Sequence, residues 1–174
     1  MTEIPCSCGQ TALALTGAPI LTAACHCQSC RAAAAQLAAL PGATPVTDAQ
    51  GGTPFVLWRK DRALVLRGAG HLREHRLREG GTRRVVAACC NAPLYLEFKG
   101  GHWLSVYAAR FAPPPPVEMR TMLIDAEPGS IPDDGIPGAK RQSARFMLRL
   151  LGAWAATGFR FFRMEPLPAL EETP

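Results

Sequence analysis

Residues 25–31 read Cys25-His26-Cys27-Gln28-Ser29-Cys30-Arg31 and set three thiols within six positions. Thiolates are soft, strong zinc ligands, and C-x-C and C-x-x-C spacings let sulfurs converge on one ion at about 2.3 Å without ordering a long loop. A second pair, Cys6 and Cys8, lies upstream, and the adjacent Cys89 and Cys90 lie far downstream. Between the first two clusters, residues 11–15 and 19–24 read as strands around a turn at Gly17-Ala18. Sheet pairing can unite distant thiols in this way, so metal binding is favoured over scattered inert cysteines.

Arg31 to Leu40 is alanine-rich and free of Gly and Pro, which predicts a short helix after Cys30 ending at Pro41-Gly42. Beyond it, 55–58, 63–67, 71–77, 83–88, 93–98 and 103–108 are short β-like runs separated by glycines. The expected fold is mainly β, with short antiparallel strands. Pro113 to Pro116 form a stiff connector, which suggests a domain over 1–112 and an extension over 113–174. Within that extension Phe146, Leu150, Leu151, Trp154 and Ala155 recur at helical spacing, so residues 141–162 predict an amphipathic helix docked on its own domain.

The chain has 174 residues, 48% of them hydrophobic and 19% charged, which argues against wholesale disorder. No run approaches the roughly 18 consecutive apolar residues of a membrane span. The N-terminus meets Cys6 and Cys8 before any signal-like apolar region, so a cytoplasmic protein is expected. In a reducing compartment an odd count of seven cysteines points to ligands or reactive thiols rather than disulfides. The net charge of +5 is attributed largely to arginines 59, 62, 67, 73, 76, 78, 83 and 84 with Lys60. They are not interleaved with aromatics, so a solvated face is expected rather than a nucleic-acid site.

A closed structural zinc takes four protein ligands, whereas a catalytic zinc takes three and keeps one position open. Seven thiols divide accordingly: Cys6, Cys8, Cys89 and Cys90 in a closed site, and Cys25, Cys27 and Cys30 in an open one at the start of the helix. The helix N-terminus would help keep those thiolates ionised. Cys89 and Cys90 can reach one ion only if the chain bends there, because adjacent strand residues face opposite ways. Asn91 followed by Pro93 suits such a turn; an extended backbone would instead turn Cys89 to the second site or leave it free.

These motifs resemble the glutathione-dependent formaldehyde-activating enzyme and centromere protein V family. The likeness spans residues 4–108 and rests on Cys6-Ser-Cys8-Gly9, Cys25-His-Cys27-Gln-Ser-Cys30-Arg31 and Cys90-Asn-Ala-Pro93-Leu94. The third motif departs from the family's C-x-x-C-G-x-P-L: Ala87 replaces its first cysteine, and Cys89 has no counterpart. The CCNAPL variant resembles a divergent bacterial branch. The resemblance implies a zinc-bearing β-tent fold, with Cys6, Cys8 and Cys90 as structural ligands and Cys25, Cys27 and Cys30 around a catalytic zinc. It also implies carbon–sulfur lyase chemistry on a glutathione–aldehyde adduct, with nearby arginines available for substrate carboxylates.

Two other classes stand beside this one. A non-enzymatic zinc module would use an arginine-rich face for a partner or nucleic acid, and a thiol redox sensor would use the Cys89-Cys90 pair. His26, between two ligands, reads as a solvent-facing spacer or an outer donor rather than a catalytic group. His71, His75 and His102 read as ordinary surface or core residues, and Trp58 and Trp103 as core.

Overall fold

The computed structural model describes residues 1–170 and contains ten strands and two α-helices among them. They run β1 (Thr2–Pro5), β2 (Ala12–Leu15), β3 (Leu21–Cys25), α1 (Gln28–Ala38), β4 (Thr53–Arg59), β5 (Ala63–Arg67), β6 (Leu72–His75), β7 (Arg83–Ala87), β8 (Ala92–Glu97), β9 (Trp103–Tyr107), β10 (Met119–Thr121) and α2 (Ala144–Ala155). The architecture is mainly β, as the short glycine-bounded runs predict. A three-stranded sheet has the order β1-β2-β5 and a seven-stranded sheet the order β10-β3-β4-β9-β8-β7-β6.

Side-chain alternation places both cores. In β4, Val56 and Trp58 point to one face, where they meet Ile4, Leu13 and Leu15 of the small sheet. Phe55 and Leu57 point to the other, where they meet Cys30, Ala34 and Leu37 of α1 and Leu150 of α2. The large sheet is thus buried on both faces, with the small sheet on one side and the helices on the other. Continuous apolar strands such as Leu94-Tyr95-Leu96 follow from that double burial.

Several boundaries differ from the sequence reading. Helix α1 begins at Gln28, with Cys27 as its N-cap, so Cys30 lies inside the first turn rather than before the helix. Helix α2 is shorter than 141–162: Ser143 caps its start by accepting from the Phe146 N–H at 3.1 Å, and it stops ahead of Gly158, whose φ is +65°. Strands β1 and β10 are additions; both are too short to show alternation. Strand β10 pairs parallel with β3, which makes the large sheet mixed rather than purely antiparallel. The segment after the prolines therefore shares a sheet with residues 21–25.

The arginines divide: Arg62, Arg67, Arg76 and Arg78 are exposed, as a solvated face requires, whereas Lys60, Arg83 and Arg84 are buried. Arg59 pairs with Asp61, Arg67 with Glu3, and Arg76 with Glu74. Lys60 and Arg83 are buried and share Glu97, with Lys60 Nζ 2.5 Å from Oε1 and Arg83 on Oε2. Arg84 is 2% exposed and has no carboxylate within 4.0 Å among the described residues. Arg83 and Arg84 are held on strand β7, and Lys60 in the short turn that follows β4.

Removing one member of a buried ion network leaves charges without compensation. Glu97→Ala should therefore lower unfolding free energy by about 3–5 kcal/mol in denaturant titrations. Glu3→Ala, which breaks an exposed pair, should cost less than about 1 kcal/mol.

Candidate metal centres

All seven cysteines are free thiols, and they gather into two clusters. Cys6, Cys8, Cys89 and Cys90 offer sulfurs that all lie within 4.8 Å of one another, as do Cys25, Cys27 and Cys30.

The four-thiol cluster is built by two turns. After β1, Cys6 N–H donates to the Thr11 carbonyl at 2.8 Å and Thr11 N–H donates to the Cys6 sulfur at 3.3 Å, while Gly9 at φ +78° returns the chain into β2. Gly68 lies so close to this loop that an added Cβ would sit 2.3 Å from the Gln10 carbonyl oxygen, so only glycine fits there. The second turn joins β7 to β8. Cys90 N–H donates to the Ala87 carbonyl at 3.2 Å, and Asn91 takes φ +52°, bending the chain so that both adjacent thiols face one point. The backbone is not extended there, and Cys89 joins the N-terminal pair instead of the second cluster.

Three of the sulfurs already stand at the spacing of a tetrahedral metal's ligands, with Cys90 within 4.8 Å of each. Bonds of about 2.3 Å make a tetrahedron with edges of about 3.8 Å, and Cys6–Cys8, Cys6–Cys89 and Cys8–Cys89 measure 3.5, 3.7 and 3.5 Å. Arg110, which donates to the Ser7 hydroxyl at 2.8 Å, brings positive charge beside the cluster.

The three-thiol cluster joins the end of β3 to the start of α1. Cys27 Sγ accepts from the Cys30 N–H at 3.3 Å and so caps the helix. Hydrogen bonds from the Cys25 and Cys30 thiols and from the N–H groups of Cys30 and Ser29 outweigh burial and pull the Cys27 thiol down to about 2. Its neighbours move the other way. The Cys25 thiol, bonded to Cys27, rises to about 11, and the Cys30 thiol, bonded to Cys25 and Cys27 and buried, is pushed far above its ordinary value.

The four-thiol cluster repeats the pattern. Burial raises Cys6, but the bonds from Thr11, Cys8, Cys90 and Cys89 overcome it and bring that thiol to about 6. Burial and Cys8 raise Cys89 to about 12. In each cluster one thiolate forms readily and its charge resists the next. A dication removes that resistance and lets every sulfur ionise, which is the chemistry this donor set suits.

The surroundings differ sharply. Cys25 and Cys30 line a cavity of about 500 Å³ whose walls are largely Phe55, Leu57, Leu96, Trp103, Phe146 and Leu150. Among the described residues Lys99 is the one charged residue lining it, and Ser105, Thr121 and Gln142 add polar atoms. Arg84 Nη2 donates to the carbonyl and hydroxyl of Ser29, at 3.1 and 3.0 Å, and so braces the first turn of α1 between Cys27 and Cys30. The arginines of 59–84 read as carboxylate binders do not line this cavity.

His26 is not a solvent-facing spacer. It is 1% exposed and lies against Gly52, where an added Cβ would fall 2.7 Å from Nε2. His102 stacks on Trp154 with centroids 5.8 Å apart, and Trp58 donates from Nε1 to the Thr16 carbonyl at 2.9 Å. Trp103, read as core, is a cavity wall. Of the other walls, Phe146 and Leu150 belong to the helical apolar pattern read in 141–162, whereas Phe98 and Met147 stand out in sequence only as apolar residues.

Residues 1–110 match DUF6151, a family of unknown function. This chain belongs to DUF6151. The DUF6151 region holds both thiol clusters, whereas α2, which helps to wall the cavity, lies outside it. No curated protein matches the chain. A crystal structure of a Rhodobacter sphaeroides protein is similar to it with a TM-score of 0.47 and 14% identity, over 79% of this chain and 100% of that one.

The turn that aims Cys89 and Cys90 depends on Asn91 holding a left-handed conformation, which β-branched residues strongly resist. Asn91→Val should lower the melting temperature and stability by about 1–3 kcal/mol. Asn91→Gly should stay within about 1 kcal/mol of wild type in the same melts, because glycine accepts that conformation.

Proposed function

We propose that both clusters bind zinc, the four-thiol one as a structural clamp and the three-thiol one as the centre of an enzyme that makes or breaks a carbon–sulfur bond in a thiol–aldehyde adduct. The observation that carries this reading is the cavity: Cys25 and Cys30 of the three-thiol cluster line a largely apolar cavity, and the other four sulfurs sit where two turns meet. The resemblance to formaldehyde-activating enzymes supports the same division.

A zinc ion held by three thiolates with an open fourth position would supply a Lewis acid and a thiolate-binding site. The protein's own residues do the rest. Cys27 caps the N-terminus of α1, where the Cys30 N–H favours its thiolate. Arg84 acts as a positioning residue: it fixes Ser29 and sets a buried positive charge beside a centre whose three thiolates outweigh a dication by one. That compensation explains why Arg84 tolerates burial without a carboxylate. Phe55, Leu57, Trp103 and Leu150 keep water from the adduct.

In the lyase direction the carbon–sulfur bond of a hemithioacetal breaks and its electron pair leaves on sulfur as a thiolate. The hydroxyl proton passes to the departing sulfur, so that a thiol and an aldehyde result as the carbon–oxygen bond becomes a carbonyl; addition is the reverse. Lys99 offers one partner for a carboxylate. A glutathione conjugate brings two carboxylates and an ammonium, so the lining favours a thiol adduct with a larger apolar part. The nucleic-acid reading is weaker, because Arg59, Arg67 and Arg76 pair with carboxylates and Arg83 and Arg84 are buried.

Elemental analysis of the purified chain should find about two zinc ions, and Cys27→Ser about one. Cys27→Ser should also abolish turnover of thiol–aldehyde adducts while keeping most of its thermal stability. Cys6→Ser should lower the melting temperature more, since its site joins segments distant in sequence. Zinc well below one per chain sinks the reading, equal melting losses refute the division of roles, and zinc binding without turnover removes the enzyme.

A further inference from the structure

The thirty residues 135–164 contain Lys140, Arg141, Arg145, Arg149, Arg160 and Arg163 and no Asp or Glu. The rest of the chain carries thirteen basic residues against fourteen acidic ones, so the net charge of +5 resides in this one segment and not in the arginines of strands β4 to β7. Among the described residues, Arg149 alone of the six lies within 4.0 Å of a carboxylate, that of Glu118 at 3.5 Å.

The same segment concentrates exposed apolar surface. Helix α2 docks through Phe146, Leu150 and Ala153, with Trp154 stacked on His102. Its other side turns Met147, Leu148 and Leu151 to solvent at 52%, 66% and 50% exposure, and Phe159 and Phe161 follow at 55% and 60%. A helix apolar on both sides, with Arg145 and Arg149 along one flank, is more than docking requires.

We propose that α2 and the following residues to Arg163 form an interfacial anchor for an anionic lipid bilayer. The exposed leucines, methionine and phenylalanines would enter the headgroup–acyl boundary, and the cations would meet lipid phosphates. Charge complementarity selects this occupant. A second copy on the same face would set six cations against six with no acid between them, and a nucleic acid would leave the leucines and phenylalanines without an apolar partner. Met147 belongs both to the exposed face and to the cavity wall. A bilayer seated there lies at the rim of the cavity beside Cys25 and Cys30, and the cavity could draw apolar molecules from it.

Co-sedimentation of the intact chain with vesicles tests this. It should pellet with vesicles of phosphatidylglycerol and phosphatidylcholine, remain in solution with phosphatidylcholine alone, and be released as sodium chloride rises. Arg145→Glu with Arg160→Glu, and separately Leu148→Glu with Leu151→Glu, should each reduce partitioning at least about tenfold. These side chains are exposed, so melting curves should barely move. Failure to pellet with anionic vesicles overturns the proposal, as does equal pelleting of wild type and both variants. A solution dimer dissolved by the leucine changes would assign the face to a second copy, and tighter salt-sensitive binding to duplex DNA would assign it to nucleic acid; either also overturns it.

Discussion

Four sulfurs brought within 4.8 Å of one another join residues 6 and 8 to residues 89 and 90, and much of the molecule is arranged around that convergence. It needs a tight return after β1, a glycine at 68 that lets β5 approach, and a left-handed residue at 91. Those conditions fix where the small sheet lies on the large one. Since the same β7–β8 pair also carries Arg84, the clamp sets the position of the brace on the second cluster.

The two clusters share a donor type and differ in what surrounds them. Two turns and a nearby arginine flank the four-thiol cluster, whose Cys8 is exposed and whose Cys6 is buried. Beside the three-thiol cluster lies a helix N-terminus, a buried guanidinium and an apolar chamber, where electrostatic interactions are stronger and less screened. The proposed division between a fastening and a working centre rests on this asymmetry more than on ligand counting.

Much of this was legible in the residues. Thiol spacing foretold both clusters, and the glycine-bounded apolar runs foretold the mainly β architecture, because each signal is local. What escaped depends on distance. Strand β10 is three residues long and forms only because β3 offers it an edge. Arg83 and Arg84 look like surface residues until Glu97 and Ser29 are placed opposite them. The cavity draws Phe98 and Phe146 from separate stretches, and neither carries a mark of shared purpose. The charge surplus of residues 135–164 was readable by counting acids as well as bases.

The extension after the prolines also governs solubility in the colloidal sense. A sheet edge with free N–H and carbonyl groups is a template for recruiting other chains. Strand β10 covers one edge of the large sheet at β3 and is itself flanked by residues 137–139, through Arg120 N–H to the Pro137 carbonyl at 2.9 Å and Ala139 N–H to the Arg120 carbonyl at 3.0 Å. At the opposite edge Glu74 of β6 donates to the Pro168 carbonyl and accepts from the Leu170 N–H. One segment thus guards both ends of the sheet. A chain cut short at its polyproline stretch would keep all seven cysteines and yet present two adhesive borders to its neighbours.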